Sequence, residues 1–264
     1  SSIAFGEGNA MADWLIVGAG LAGCVLAERI ANVLQQKVLL IDRRDHIGGN
    51  AYDYHNEQGL FVQKYGPHIF HTSIEPAWDY LSRFTTWNGY THRVLARVGE
   101  KELPLPISIE TMERLYDRAF TPEQLRDYFE QRRVRPPRIE NARDVVVSQV
   151  GSELYELLYR NYTRKQWGLD PEQLDPQVTG RLPIRLDRDT RYFTDPHQGL
   201  PSEGYTRMFE RMLDHSNIEI RLRTEYRDVA GGVYPAGCVF TGPIDEFFDF
   251  RYGRLPYRSL RFRF

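Results

Sequence analysis

The stretch Asp13–Gly23, DWLIVGAGLAG, decides how this chain is expected to fold. Its apolar residues 14–17 predict a strand buried on both faces, and Gly18, Gly20 and Gly23 fit the pattern G-x-G-x-x-G. The next run, CVLAERIANVL, has apolar residues at helical spacing. In a dinucleotide-binding unit the first glycine permits a tight turn, the second lets the backbone approach a pyrophosphate, and the third lets the helix pack close to the strand. Amides exposed at the start of the helix then bind the anion.

A second strand with an acidic end supports this interpretation. Residues 37–42, KVLLID, form an apolar run that ends at Asp42, a little over 20 residues after the first glycine. A carboxylate at this position can accept hydrogen bonds from an adenosine ribose, and it would repel a 2′-phosphate. The sequence therefore predicts a Rossmann-type unit for a dinucleotide that lacks a 2′-phosphate.

Two later glycine turns favour FAD over a nicotinamide dinucleotide. Residues 43–53, RRDHIGGNAYD, contain a polar turn at 48–50, where a nicotinamide dehydrogenase would be expected to have another strand and crossover. Late in the chain, the apolar run CVF ends in the turn Thr241–Gly242. Flavoproteins commonly bring such a turn back to the first glycine loop. The cofactor domain is therefore predicted to be discontinuous in sequence.

Charge and composition exclude several kinds of partner. The 264 residues carry 34 Lys and Arg against 36 Asp and Glu, a net charge of −2, so no nucleic-acid-binding surface is predicted. No apolar run approaches the ~20 residues of a membrane span, and the opening SSIAFGEGNA lacks the features of a secretory signal. Cys24 and Cys238 lie in apolar surroundings and are predicted to be buried. With no disulfide framework, the sequence predicts a cytoplasmic protein.

The segment YGPHIFHT contains two histidines, His68 and His71, that are candidates for a functional site. If the segment is a strand, the two side chains point to opposite faces. A metal site is not predicted, because no cysteine and no third ligand occur at characteristic spacing. A position beside a flavin or a sugar is the better interpretation.

The middle of the chain predicts a small helical insertion followed by a polar loop region. Ser108 precedes an amphipathic run, residues 121–124 form a capping box with proline at the first helical position, and Asn141 opens a third helix. Residues 161–195 are polar, proline-rich and aromatic. Such a stretch is poor material for a core and favours a functional loop region.

Four side chains of this loop region suit a nucleotide or sugar ligand. Tyr162 and Trp167 can stack on a base or a sugar, while Arg181 and Arg185 can bind a phosphate. Each of them taken singly is more readily a structural residue. Together, in a chain with a nucleotide cofactor, they favour a ligand site.

The motifs resemble those of the bacterial UDP-galactopyranose mutases. The resemblance covers nearly the whole chain from Asp13 onward, in family order: IVGAGLAG, DRRDHIGGNAYD, YGPHIFHT, NYTRKQWG, VTGRLPIR, QGLPSEGYT and TGPIDEFFDFRYGRLPYRSLRF. It implies an α/β fold in which a Rossmann-type FAD-binding parallel sheet carries a helical insertion and an antiparallel-sheet domain. Family members continue beyond SLRFRF with a second diphosphate-binding arginine and the closing part of the flavin site, so the C-terminal part is expected to be lacking. The expected divisions are an FAD domain at residues 12–72 and 198–245, the helical insertion at 108–168, and an incomplete substrate region at 73–107, 169–197 and 246–264.

The resemblance also implies an activity. Family members interconvert UDP-galactopyranose and UDP-galactofuranose through a covalent adduct of the sugar anomeric carbon with N5 of reduced FAD. A covalent route divides one difficult step into two easier ones, and the flavin supplies the nucleophile. The expected ligands are therefore reduced FAD, the two UDP-sugars and UDP, in a cytoplasmic enzyme of galactofuranose biosynthesis for the cell wall. A homo-oligomer is compatible with this interpretation.

Residue by residue, the resemblance assigns roles to three groups of positions. The catalytic group comprises Arg181, which would hold the diphosphate from a mobile loop, and His71 and His68 beside the flavin and galactose. Arg181 also belongs to the substrate-binding group, with Tyr162 on uracil, Trp167, Tyr192 and His92. The FAD-binding group comprises Gly18, Gly20, Gly23, Asp42, Gly49, Asn50, His68, Thr241 and Gly242.

Two alternative interpretations stay open. A flavin amine-oxidase-like oxidoreductase shares the glycine loop, the acidic strand end and the late Thr-Gly turn, but it would oxidise its substrate and consume oxygen. Alternatively, a shortened chain would keep only an inactive scaffold that binds FAD or a nucleotide.

Overall fold

The computed structural model describes residues 12–180, 183–257 and 259–262. The chain forms two compact units. The first unit comprises the chain up to Tyr90 and again from Asp195, and the second unit is Thr91–Thr194. The finer three-part division expected from the sequence stays a prediction.

The first unit contains both strands and helices along its length, whereas the second has one hairpin followed by helices. Within the described residues the strands are β1 Trp14–Val17, β2 Val38–Asp42, β3 Asp53–His55, β4 Phe61–Gln63, β5 Phe70–Thr72, β6 Val94–Val98, β7 Lys101–Leu105, β8 His197–Gly199, β9 Ile218–Leu222 and β10 Gly237–Phe240. The helices are α1 Leu21–Arg29, α2 Glu75–Ser82, α3 Ile109–Tyr116, α4 Pro122–Arg132, α5 Ala142–Val150, α6 Ser152–Leu154, α7 Asn161–Trp167, α8 Gln177–Gly180, α9 Tyr205–Leu213, α10 Tyr226–Val229 and α11 Ile244–Phe247.

A parallel sheet forms the centre of the first unit. Among the described residues its order is β10-β1-β2-β9, and every neighbouring pair is parallel. All five residues of β2 are buried, because parallel sheets are covered on both faces. On one face Ile16 and Leu40 pack in a cluster with residues of α1 and α9, and on the other Leu15 and Leu39 form a second cluster. The predicted Rossmann-type parallel sheet is confirmed.

The two cysteines differ in burial. Cys24 is buried in α1, as predicted, and its desolvation raises the pKa of the thiol to about 12. The prediction for Cys238 is wrong, because this residue is exposed. It lies on β10, which is an outer strand of the sheet among the described residues, so one side of it has no neighbouring strand.

A buried carboxylate connects α1 to α2 within the first unit. Glu28 is fully buried and accepts hydrogen bonds from Tyr80 Oη at 2.7 Å and from Asn32 Nδ2 at 3.1 Å. Arg29 also donates to it. Burial by itself raises the pKa of Glu28, but the hydrogen bonds from Arg29 and Tyr80 outweigh burial and hold the pKa below its ordinary value. Glu28 is therefore a buried, charged side chain that links α1 to α2 through its hydrogen bond from Tyr80.

The first unit also contains a two-stranded antiparallel sheet of β5 and β8, which we call the ribbon. β5 and β8 are antiparallel, with His71 opposite Gln198 and Thr72 opposite His197. Phe70 packs against the core cluster that contains Ala19 of the glycine loop. Since side chains alternate along a strand, Phe70 faces this core and His71 lies on the opposite face, where it is exposed.

The second unit has its own apolar core. The hairpin β6–β7 turns at Gly99, and its residues pack with Met112, Leu125, Val147 and other residues of the helices. The three predicted helix caps are confirmed: Ser108 accepts from the Thr111 N–H at 3.4 Å, Thr121 from Gln124 at 3.2 Å, and Asn141 from Asp144 at 3.0 Å.

Candidate functional site

Three loops meet at the carboxyl ends of the parallel strands. The Gly18 N–H donates to Ile41 O at 2.8 Å, which joins the loop after β1 to the end of β2. The Gly48 N–H donates to Ala19 O at 2.7 Å, and the Thr241 N–H donates to Val17 O at 2.8 Å. Ligands of open α/β sheets bind at this edge. We call the three loops, residues 18–20, 48–50 and 241–242, the cradle.

Steric constraints explain Gly18 of the cradle and the nearby Gly23 of α1. A Cβ on Gly23 would lie 1.9 Å from Gly18 O, so only glycine lets α1 pack this close to the loop. Gly18 has φ +104°, and a Cβ there would lie 2.2 Å from Thr241 Oγ1. The fold itself therefore requires glycine at both positions.

Gly20 is different, because nothing in the described protein requires a glycine there. Its backbone is extended, and a Cβ would meet only Gly49 Cα at 3.8 Å, an ordinary contact. It also precedes α1 without a side-chain cap, and the first turn of α1 has no acidic residue. The first N–H groups of α1 thus have no side-chain acceptor from the cap position, a setting that suits a phosphate. The residues present fit a dinucleotide pyrophosphate.

Asp42 organises the edge of the cradle. One carboxylate oxygen accepts from the Ala19 N–H and the other from the Arg44 N–H, both at 2.8 Å. Each oxygen has a second acceptor site, so the ribose contact predicted for Asp42 stays compatible with this geometry. Arg44 also donates from Nη2 to Asn50 Oδ1 at 2.8 Å. Sequence reasoning missed Arg44, although its position two residues after the acidic strand end was a usable signal.

The two histidines of YGPHIFHT are held differently. His68 Nδ1 donates to Gly66 O at 2.8 Å, and its backbone N–H donates to Gln63 Oε1 at 2.7 Å. His71 Nδ1 lies 2.7 Å from Asp195 Oδ2. Asp195 was not predicted, because 124 residues of sequence separate it from His71. Only the pairing of β5 with β8 brings the two residues together.

Two predicted substrate residues of the second unit lie side by side. The Tyr192 N–H donates to His92 O at 2.8 Å, and the two rings meet edge to face with centroids 5.5 Å apart. Tyr162, half exposed, and Trp167 lie on α7. Arg181 lies outside the described residues.

Arg185 is buried in the second unit and only partly paired. Its Nη1 donates to Asp189 O at 2.9 Å and lies 3.1 Å from Asp189 Oδ2. A hydrogen bond from Arg191, with the nearby charge of Arg185, holds the pKa of Asp189 far below its ordinary range. Arg185 Nε and Nη2 have no hydrogen-bond partner in the described part of the chain. This edge has the parallel N–H groups that match an oxyanion.

The described ranges contain neither a metal-binding cluster of the usual ligands nor a helix that could span a membrane. No three His, Cys, Asp or Glu side chains are grouped so as to hold a metal ion. Of the described helices, none is both long and apolar enough to cross a membrane.

Comparisons with known proteins give consistent results. The sequence profile of UDP-galactopyranose mutases matches residues 157–264, and that of an NAD(P)-binding Rossmann-like domain matches residues 16–84. The "Probable UDP-galactopyranose mutase" of Klebsiella pneumoniae is 39% identical over 253 residues, which cover 94% of this chain and 65% of the relative. The "dTDP-fucopyranose mutase" of Escherichia coli is 35% identical over 257 residues, covering 94% and 67%.

A solved structure shows the same fold. The crystal structure of reduced UDP-galactopyranose mutase superposes with a TM-score of 0.63 at 18% identity, over 80% of this chain and 49% of that one. The matches to the two curated relatives cover 65% and 67% of their lengths, so this chain spans about two thirds of each.

Proposed function

We propose that this chain, which belongs to the UDP-galactopyranose mutase family, binds FAD in its first unit and a UDP-sugar through side chains of its second unit. The proposed reaction is the interconversion of UDP-galactopyranose and UDP-galactofuranose. The observation that carries the proposal is the cradle, where α1 begins at Gly20 without a side-chain cap although the fold does not need a glycine there.

The chain's own residues would bind and orient the two ligands. The cradle and the start of α1 hold the pyrophosphate of FAD, and Asp42 accepts from its ribose. Tyr162 and Trp167 stack on the uridine and sugar, while His92 and Tyr192 offer polar contacts to the sugar. Arg181 binds the diphosphate bidentately. Reduced flavin, when bound, supplies the nucleophilic N5 on which the family's covalent route depends.

The test of this function separates binding from turnover, because the chain spans only part of its relatives' length. A visible spectrum of the purified protein, taken before and after dithionite and with UDP-galactose added, is expected to show a flavin that responds to the sugar nucleotide. Under reducing conditions, the protein is then expected to convert UDP-galactofuranose into UDP-galactopyranose. A matched dTDP-sugar is the comparison substrate, since the E. coli relative is named for one.

Peroxide formation without isomerisation would contradict the proposed mutase and favour the oxidoreductase alternative. A protein that is colourless as purified and does not respond to UDP would favour the inactive scaffold.

Replacing Arg181 with alanine is expected to weaken UDP binding by ~1.5–3 kcal/mol, the contribution of a hydrogen bond to a charged group. Titration calorimetry with UDP measures this difference. Arg188→Ala is the matched control, because the guanidinium of Arg188 already donates to Glu113 at 2.6 and 2.7 Å. This substitution is expected to leave the affinity for UDP unchanged. Equal UDP affinity of the Arg181 variant and the unmodified protein would show that Arg181 does not hold the diphosphate.

A further inference from the structure

The contact between Asp195 and His71 fixes the proton on one ring nitrogen. Asp195 Oδ2 lies 2.7 Å from His71 Nδ1, and an ionised carboxylate can only accept a hydrogen bond. His71 Nδ1 must therefore carry the proton. In a neutral imidazole the other nitrogen, Nε2, is then an acceptor.

The ribbon holds Asp195 in place for this contact. Gln198, which pairs with His71 across the strands, donates from Nε2 to the backbone carbonyl of Asp195 at 2.7 Å. Gln198 is buried, so this bond is shielded from water. The side chains of His71 and Asp195 are 36% and 26% exposed, so the pair stays accessible to a ligand.

A second histidine–carboxylate pair on the same ribbon has the opposite geometry. His197 lies on β8 and its Nε2, not its Nδ1, is 2.6 Å from Glu75 Oε2. The ring of His197 also stacks on Trp78 with centroids 4.9 Å apart. By the same reasoning His197 carries its proton on Nε2. The two pairs thus impose opposite tautomers on two histidines of one ribbon. His197 can therefore serve as an internal reference when the tautomer of His71 is measured.

We propose that Asp195 is a positioning residue that holds His71 in the Nδ1–H tautomer, so that Nε2 serves as a hydrogen-bond acceptor for an N–H or O–H donor of a bound ligand. The ligand half of this inference rests on the proposed function, where reduced flavin and the sugar hydroxyls are such donors. The tautomer half concerns the protein alone. Orientation of an imidazole by a carboxylate on its other nitrogen is a general device in catalytic sites.

The tautomers can be read directly from two-bond ¹H–¹⁵N correlation spectra of the histidine rings, recorded above about pH 8 so that ordinary histidines are neutral. The His71→Gln and His197→Gln variants assign the two signals. The expected pattern is a protonated Nδ1 for His71 and a protonated Nε2 for His197. A His71 ring with its proton on Nε2, or a rapid mixture of both tautomers, would overturn the inference.

The variant Asp195→Asn keeps the size of the side chain but can donate an amide N–H to Nδ1, and is expected to move the His71 proton to Nε2. Asp195→Glu, which retains a carboxylate, is expected to restore the original tautomer in part. Glu75→Gln is the matched control and is expected to change the signals of His197 only. A shift of both rings in either variant would indicate general disruption of the ribbon and count against a specific role.

The ligand half is tested by adding reduced FAD alone and then UDP-galactose, while following the His71 Nε2 signal. A shift with flavin identifies the flavin as donor, and a shift only with the sugar nucleotide identifies the sugar. In active protein, Asp195→Asn is expected to lower kcat by about 10–100-fold with a smaller change in KM. If the tautomer is confirmed but no flavin binds, the proposed function fails and the positioning role stands. If flavin and sugar bind without moving the His71 signal, the ligand half of the inference is wrong.

Discussion

Replacing Gly23 with alanine is expected to lower the free energy of unfolding by about 3 kcal/mol. The new Cβ would lie 1.9 Å from the backbone oxygen of Gly18, and a backbone atom cannot rotate away as a side chain can. Either α1 must move off β1 or the glycine loop must be rebuilt, and both changes open the core around Ile16 and Cys24. Chemical denaturation of the flavin-free protein measures the loss, and reconstitution with FAD is expected to fail as well.

Gly231→Ala is the control for this substitution. A Cβ at Gly231 would meet nothing within 4 Å, so the same chemical change is expected to alter the unfolding free energy by less than about 0.5 kcal/mol. Similar denaturation midpoints for the two variants would show that the close approach of α1 to the glycine loop does not stabilise the fold.

Replacing Gly20 with alanine is expected to separate cofactor binding from folding. The flavin-free variant should unfold at the same denaturant concentration as the original protein, since its Cβ meets only Gly49 Cα at 3.8 Å and its backbone is extended. The same methyl group would occupy the space that we assign to the pyrophosphate. We therefore expect the Kd for FAD to rise about 100-fold, equivalent to ~2.7 kcal/mol.

Fluorescence titration of the flavin-free protein with FAD measures this affinity, and the unfolding curve of the same sample supplies the internal control. Two outcomes would contradict the assignment. Unchanged FAD affinity would mean that the pyrophosphate does not pass Gly20, and a stability loss like that of the Gly23 variant would mean that the fold needs this glycine after all.

The sequence could predict the parts of this fold that depend on local chemistry. The strand before Gly18, the helix after Gly23 and the strand ending at Asp42 follow from apolar spacing and glycine positions within 30 residues. The three helix caps at Ser108, Thr121 and Asn141 were predictable for the same reason, because each cap bonds to a backbone group only three residues away.

Features that depend on distant pairing could not be predicted in the same way. The contact between His71 and Asp195 needs the register of β5 against β8, which no local pattern encodes. Cys238 was wrongly expected to be buried, because an apolar run does not reveal that its strand lies at the edge of a sheet. The roles of Arg181, Tyr162, Trp167 and the other assigned side chains stay predictions.

The long sequence separation between the loops of the cradle determines how early in protein synthesis the cradle can form. Thr241 Oγ1 donates to Val17 O at 2.8 Å, and 224 residues of chain separate these two partners. A growing chain therefore exposes the glycine loop and the bare edge of β1 until β10 has left the ribosome. At about 5–20 residues per second, this interval lasts roughly 10–45 s. Throughout that time the three loops of the cradle are not together, so a ligand that needs all three can bind only after β10 has paired with β1.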